Sequence, residues 1–134
     1  MQTKVFDVAG KRIDVAMPSA VKQDELLGLL AQRLFIGAAQ AKKTGLDLNE
    51  DIVLMMMVGL PAETKARVVA ILTEKSAVVG TTIPVSVEDF AGQMVEWNRF
   101  LAKLVLWNLG DFFDLLRSVD LGGAAGPQQT NPAA

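Results

Sequence analysis

Residues 85–116, VSVEDFAGQMVEWNRFLAKLVLWNLGDFFDLL, constrain the fold more than any other stretch. Both tryptophans and four of the six phenylalanines lie inside it. Phe90, Met94, Trp97, Leu101, Leu104, Asn108, Phe112 and Leu115 follow one another at steps of three or four residues, the period of one helix face. Ser86 stands where an N-cap is needed, and Glu88 and Asp89 follow where acids suit the helix dipole. Phe100, Val105, Trp107 and Phe113 make a second apolar strip. One stripe suffices for the protein's own core, so two wide stripes predict burial on more than one side. The spacing predicts a long amphipathic C-terminal helix over about 87–119, with Gly110 as a point of bending or breakage.

The remaining segments predict a mainly α (α+β) fold in a single domain over residues 1–120. Residues 4–17 read as a β-hairpin: Phe6 and Val8, then Ile13, Val15 and Met17, alternate with polar neighbours around Ala9-Gly10. Such a hairpin is marginal alone and must lay its apolar face on something else. Residues 20–43 keep a helical period through Leu26, Leu27, Leu30, Leu34 and Ala41, with Lys42 and Lys43 at the end the dipole favours. Gly28 and Gly37 each cost this helix about 1 kcal/mol relative to alanine, which close approach by another helix could offset. Asn49 caps a short helix over 50–58, and Pro61 suits the first turn of another over 61–75. On that helix Val68, Val69, Leu72 and also Ala66 are expected to point inward, while Lys65, Arg67, Glu74 and Lys75 point out. Residues 77–84 read as a connector or short extended segment. Residues 121–134, rich in Gly, Ala and Pro without apolar periodicity, read as a disordered tail.

Several function classes are disfavoured. The chain has no cysteine and no histidine, which removes zinc-finger ligands, a thiol nucleophile and the commonest general base. Gly80-Thr81-Thr82 lacks the lysine and spacing of a phosphate-binding loop. The expectation is therefore no enzymatic activity, no cofactor and no metal. Net charge is −2 with no basic cluster, which argues against nucleic acid as a partner. Mean hydropathy is high at +0.31. The longest apolar run, IVLMMMVGLPA, nonetheless falls well short of the about 20 residues a membrane span needs. Charges occupy the N-terminal positions where a signal peptide would be apolar, so a cytosolic chain is expected.

The candidate sites are therefore surfaces. Met55, Met56 and Met57 form a flexible apolar cluster of the kind promiscuous binding surfaces use, although core filling is the plainer account of methionine. Trp97, Phe100, Trp107, Phe112 and Phe113 are the aromatic candidates for contact with a partner, and core packing is again the plainer account. Asp111 and Asp114 share a helix side, but no further ligand or base joins them, so they read as solvated acids. Asn98 and Asn108 sit on a mostly apolar helix, where burial would oblige them to find hydrogen-bond partners.

Within residues 85–116, Val87-Glu88-Asp89-Phe90, Val95-Glu96-Trp97-Asn98-Arg99, Trp107-Asn108-Leu109 and Phe112-Phe113 resemble the C-terminal region of tail assembly chaperones of long-tailed bacteriophages. The layout of hairpin, helical body, amphipathic C-terminal helix and Gly/Pro-rich end is also similar. The resemblance implies a non-enzymatic protein that binds the phage tape measure protein. It would keep that apolar chain soluble in the host bacterial cytoplasm until tail tube subunits assemble on it. It further implies a frameshifted longer form that shares this chain, and self-association into a homo-oligomer is expected from the apolar surface. A structural or scaffold subunit of the tail, of the tail completion type, is the alternative.

Overall fold

A computed structural model describes residues 2–119 of the chain, and the expected tail over 121–134 lies outside the described residues. The architecture is mainly α with a small antiparallel sheet. In order it runs β1 (Thr3–Val8), β2 (Lys11–Ala16), α1 (Ala20–Lys43), α2 (Glu50–Val58), α3 (Ala62–Thr73), β3 (Ser76–Val78), a 3₁₀ turn (Val87–Phe90), α4 (Met94–Asn108) and α5 (Gly110–Ser118). No helix among the described residues is long and apolar enough to cross a membrane.

The hairpin forms where alternation placed it. Ala9 and Gly10 both take positive φ, 52° and 77°, the backbone of a two-residue turn whose twist matches the flanking strands. Phe6, Val8, Ile13 and Val15 are buried, while Val5, Asp7, Arg12 and Asp14 face out. The sheet order is β1-β2-β3, with β3 antiparallel to β2 through Ile13↔Val78, Asp14↔Ala77 and Val15↔Ser76. Three residues of strand are too few to show alternation in a sequence, so only extension was predictable here.

α1 begins at Ser19, whose hydroxyl accepts from the Lys22 N–H at 3.4 Å, and buries Leu26, Leu30, Leu34, Ala38 and Ala41. Its end is tied to the end of α5, because the Lys42 ammonium donates to the Val119 carbonyl. A methyl placed on Gly37 would lie 3.7 Å from Leu48 and 3.8 Å from Ile52, so α2 and its approach pack over it. Gly28 faces open space, with nothing within 4 Å of where an alanine methyl would sit. Gly28→Ala is therefore expected to raise stability by about 1 kcal/mol through helix propensity alone. A denaturant midpoint that falls instead would show that α1 is bent or covered there.

α2 starts as expected at Asn49, whose side chain accepts from the Ile52 N–H at 3.1 Å. Its first turn is clamped to α4. Arg99 donates to Glu50 at 2.9 Å and to Asp51 at 3.1 Å, and Lys103 donates to Glu50 at 3.1 Å. Partial burial alone would push the Glu50 carboxyl up, but the Arg99 and Lys103 hydrogen bonds outweigh it and hold the group below the usual carboxylate range. α3 is held to α1 by a two-pronged pair between Arg67 and Glu25. Pro61 sits just before α3 at the cap position rather than inside its first turn, and the helix ends at Thr73 rather than at residue 75.

The expected helix over 87–119 is three pieces, with one break more than the one anticipated at Gly110. Ser86 starts only the 3₁₀ turn, donating its N–H to the Asp89 carboxylate at 2.8 Å. Gly92 then adopts φ +81°, which a helix cannot accommodate, and α4 starts afresh after Gln93. The second break is at Leu109, with φ −113° and ψ 30°, and Gly110 opens α5.

α4 is the centre of the molecule. Trp97, Asn98, Phe100, Leu101, Ala102, Leu104, Val105 and Asn108 are buried, an arc wider than a single helix stripe, while Arg99, Lys103, Leu106 and Trp107 keep the remaining side partly exposed. The sheet covers one side through Phe6, whose ring lies 6.1 Å from Phe100 and 5.6 Å from Trp107. Phe90 from the 3₁₀ turn stacks on Phe100 at 6.0 Å, and α2, α3 and α5 pack on further sides. Both apolar stripes are thus satisfied largely within one chain. The second is the more completely buried, whereas Met94 and Leu115 of the first are exposed.

Candidate functional site

An apolar groove lies between α3 and α4. Its volume is about 580 Å³. One wall is the outer stripe of α3, Ala62, Lys65, Ala66, Val69 and Thr73. The other is Met94, Trp97 and Asn98 of α4, and Val85, Ser86 and Val87 close one end. The small side chains Ala62 and Ala66 leave the space, and the larger apolar ones line it. Val87 and Met94, 41% and 45% exposed, carry the apolar surface up to the rim.

A single cation marks this groove. Lys65 donates from Nζ to Asn98 Oδ1 at 2.6 Å, and Asn98 Nδ2 donates to the Met94 carbonyl at 2.8 Å. Asn98 is buried and engaged at both ends of its amide, so it sets the position of the lysine head. An ammonium has three donors, and no carboxylate among the described residues forms an ion pair with this one. Burial pushes the Lys65 pKa down, which means the fold carries an incompletely solvated charge. A carboxylate arriving with apolar neighbours would relieve that cost.

A second, smaller groove of about 370 Å³ lies between α1 and α2. Ile36 and Gly37 face Ile52, Met55 and Met56 across it. Met55 is 71% exposed and Met56 is half-buried, so the unbranched thioethers are free to adapt to what they meet.

The eight candidate partner-binding residues do not form one surface. Met55 and Met56 reach the α1–α2 groove, while Met57 is buried in the core. Trp97 lines the α3–α4 groove with its edge, although it is almost wholly buried. Trp107 is half-buried beside the hairpin. Phe100, Phe112 and Phe113 are core side chains and offer no surface to a partner, because the sheet and the other helices already enclose them. Phe112 instead holds Phe35 of α1 edge-to-face at 5.4 Å. Asn108 is buried too, donating to the Leu104 carbonyl at 2.9 Å and accepting from Gln23 at 3.4 Å.

Sequence reasoning missed the groove-lining stripe of α3, because Lys65 between Thr64 and Ala66 reads as solvated surface and Val69 reads as core. The signal that could have found it is the run Ala62, Lys65, Ala66, Val69 and Thr73 at helical spacing, a second face of small and apolar residues. Among the described residues no group of three or more acids could hold a metal ion. Comparison with protein-family models, with curated proteins and with solved structures gives no match.

Proposed function

We propose that this chain is a non-enzymatic tail assembly chaperone of a long-tailed bacteriophage, holding the tape measure protein soluble in the host cytoplasm until tail tube subunits enclose it. The observation that carries this reading is the open α3–α4 groove, apolar to its rim and marked by a Lys65 ammonium that no described carboxylate neutralises. An apolar helical client fits such a groove by laying one face into it. Each large client side chain removed from water contributes about 1.5–3 kcal/mol. The α1–α2 groove, with Met55 and Met56, gives a second adaptable contact for a long client. The resemblance of residues 85–116 to phage tail assembly chaperones supplies the identity of the client, and the frameshifted longer form would share both grooves.

The test is co-expression with the tape measure protein. The client is expected in the soluble fraction and co-purifying with this chain, which is then absent from finished tails. A client that remains insoluble would overturn the reading, and retention in finished tails would favour a structural tail subunit.

A further inference from the structure

The sheet has two edges, and they differ. On the β3 side, Ala77 is bridged by Pro84, and the Val85 N–H donates to the Ser76 carbonyl at 3.2 Å. That edge is covered by the chain itself. On the β1 side no strand among the described residues pairs beyond Thr3–Val8. The orientation of its backbone groups follows from the register. A two-residue turn makes Val8↔Lys11 a hydrogen-bonded pair, and the alternation then gives Phe6↔Ile13 and Lys4↔Val15. The Met17 N–H bonded to the Gln2 carbonyl at 2.8 Å continues the same alternation. Thr3, Val5 and Asp7 therefore direct their N–H and C=O groups away from the sheet. β1 contains no proline and no bulge, and Val5 is exposed on its outer face. A strand in this state is a template for another strand.

We propose that β1 pairs antiparallel with β1 of a second copy about a twofold axis through Val5, joining the two sheets into one of six strands. Opposed residues in an antiparallel pair point to the same face, which restricts the symmetric registers. The register centred on Val5 sets Val5 against Val5 and Thr3 against the partner's Asp7. Each of these pairs exchanges two backbone hydrogen bonds, so every outward group of Thr3, Val5 and Asp7 is used. Centring on Phe6 instead would oppose Thr3 to Ala9, which lies in the turn.

The side chains suit the Val5 register as well. On the outer face the two Val5 side chains meet at the axis, and each Thr3 hydroxyl lies opposite a carboxylate of Asp7. On the inner face Lys4 lies opposite the partner's Phe6 ring, repeating a contact it makes within its own chain, where Nζ stands 5.2 Å from the Phe6 ring centre. No like charges are opposed. Beside this edge runs a groove of about 520 Å³ between β1 and α4, lined by Phe6, Lys103, Leu106 and Trp107. Of the inward-facing side chains of an added β1, Phe6 and Val8 are held in their own core, and Lys4 is free to lay its methylene stem towards the half-exposed Leu106 and Trp107. The surface is separate from both client grooves, so the pairing stands or falls independently of the client.

Sedimentation equilibrium on the full chain tests this. The wild type is expected to be dimeric at high micromolar concentration. Val5→Pro removes an N–H that the β1–β2 ladder does not use, so the hairpin should persist while both central interchain bonds are lost. A rise of roughly thirtyfold in the dimer Kd is expected from the loss of two net hydrogen bonds. Val5→Lys sets two ammonium groups against each other at the axis and should weaken the dimer in a salt-dependent way. Circular dichroism reports whether each variant is folded, and V5K decides if V5P is not. A wild type that is monomeric throughout would overturn the pairing. So would a dimer that persists undiminished in the folded variants, since its interface would then lie elsewhere, for instance at the apolar grooves.

Discussion

Phe100→Ala is expected to destabilise the protein by about 3–5 kcal/mol, a large share of the roughly 5–15 kcal/mol that holds a typical domain together. Phe100 is fully buried and lies at the meeting point of Phe6, Phe90 and Trp97, with ring centres 6.1, 6.0 and 6.1 Å away. Three separate segments, the hairpin, the 3₁₀ turn and α4, lose a shared contact when that ring is removed. The cavity cannot collapse without moving all of them, so the cost should sit well above that of lost transfer free energy alone. Met55→Ala serves as the contrast, because the side chain is mostly in water and its truncation should leave the melting temperature nearly unchanged. Urea titration of both variants checks the pair. A Phe100 variant with near wild-type stability would mean that α4 is less enclosed than its packing indicates.

Val69→Glu is expected to abolish rescue of the tape measure protein while leaving the fold intact. Val69 lines the α3–α4 groove four residues beyond Lys65 on the same helix. A carboxylate there reaches the Lys65 ammonium as an i, i+4 pair, gives it an anionic partner and fills the groove with charge. Val69 is partly buried against the core, so the ion pair offsets only part of the lost packing and the melting temperature should fall slightly while the fold is kept. A loss of the client from the soluble fraction together with a retained cooperative melt assigns client binding to this groove. Undiminished rescue would move the client to the α1–α2 groove or off the protein altogether.

Local signals in the sequence carried much of the fold. Asn49 and Ser19 stand where α2 and α1 begin, because caps are decided by neighbouring residues alone. The Ala9-Gly10 turn was legible for the same reason. β3 was not, since its three residues gain their strand character from pairing with β2 and not from any pattern of their own. The breaks around α4 were partly legible. Gly110 marked one, but Gly92 passes unnoticed inside a run that keeps helical spacing on both sides. The aromatic stripes show the limit most clearly. Periodicity identified which faces of α4 are apolar but not what covers them. Phe6, eighty-eight positions before Met94, is one of the residues that does. Lys65 failed in the opposite direction. Its charge suggested water, whereas its place on α3 sets it against the buried Asn98.

The central position of α4 also bears on when the protein can fold. A ribosome completes the hairpin and α1, α2 and α3 before any residue of α4 exists. Until then Phe6, Leu30, Val53 and Leu72 have no common core to enter, since the helix they surround is still unmade. The pairing of Phe6 with Trp107 joins nearly the first strand residue to nearly the last turn of α4, a contact of high sequence separation that forms slowly. The nascent chain therefore stays open through most of its synthesis and closes after release of α4 from the exit tunnel. For that interval it carries a long stretch of uncovered apolar residues, the condition in which an unfinished chain is most prone to aggregate.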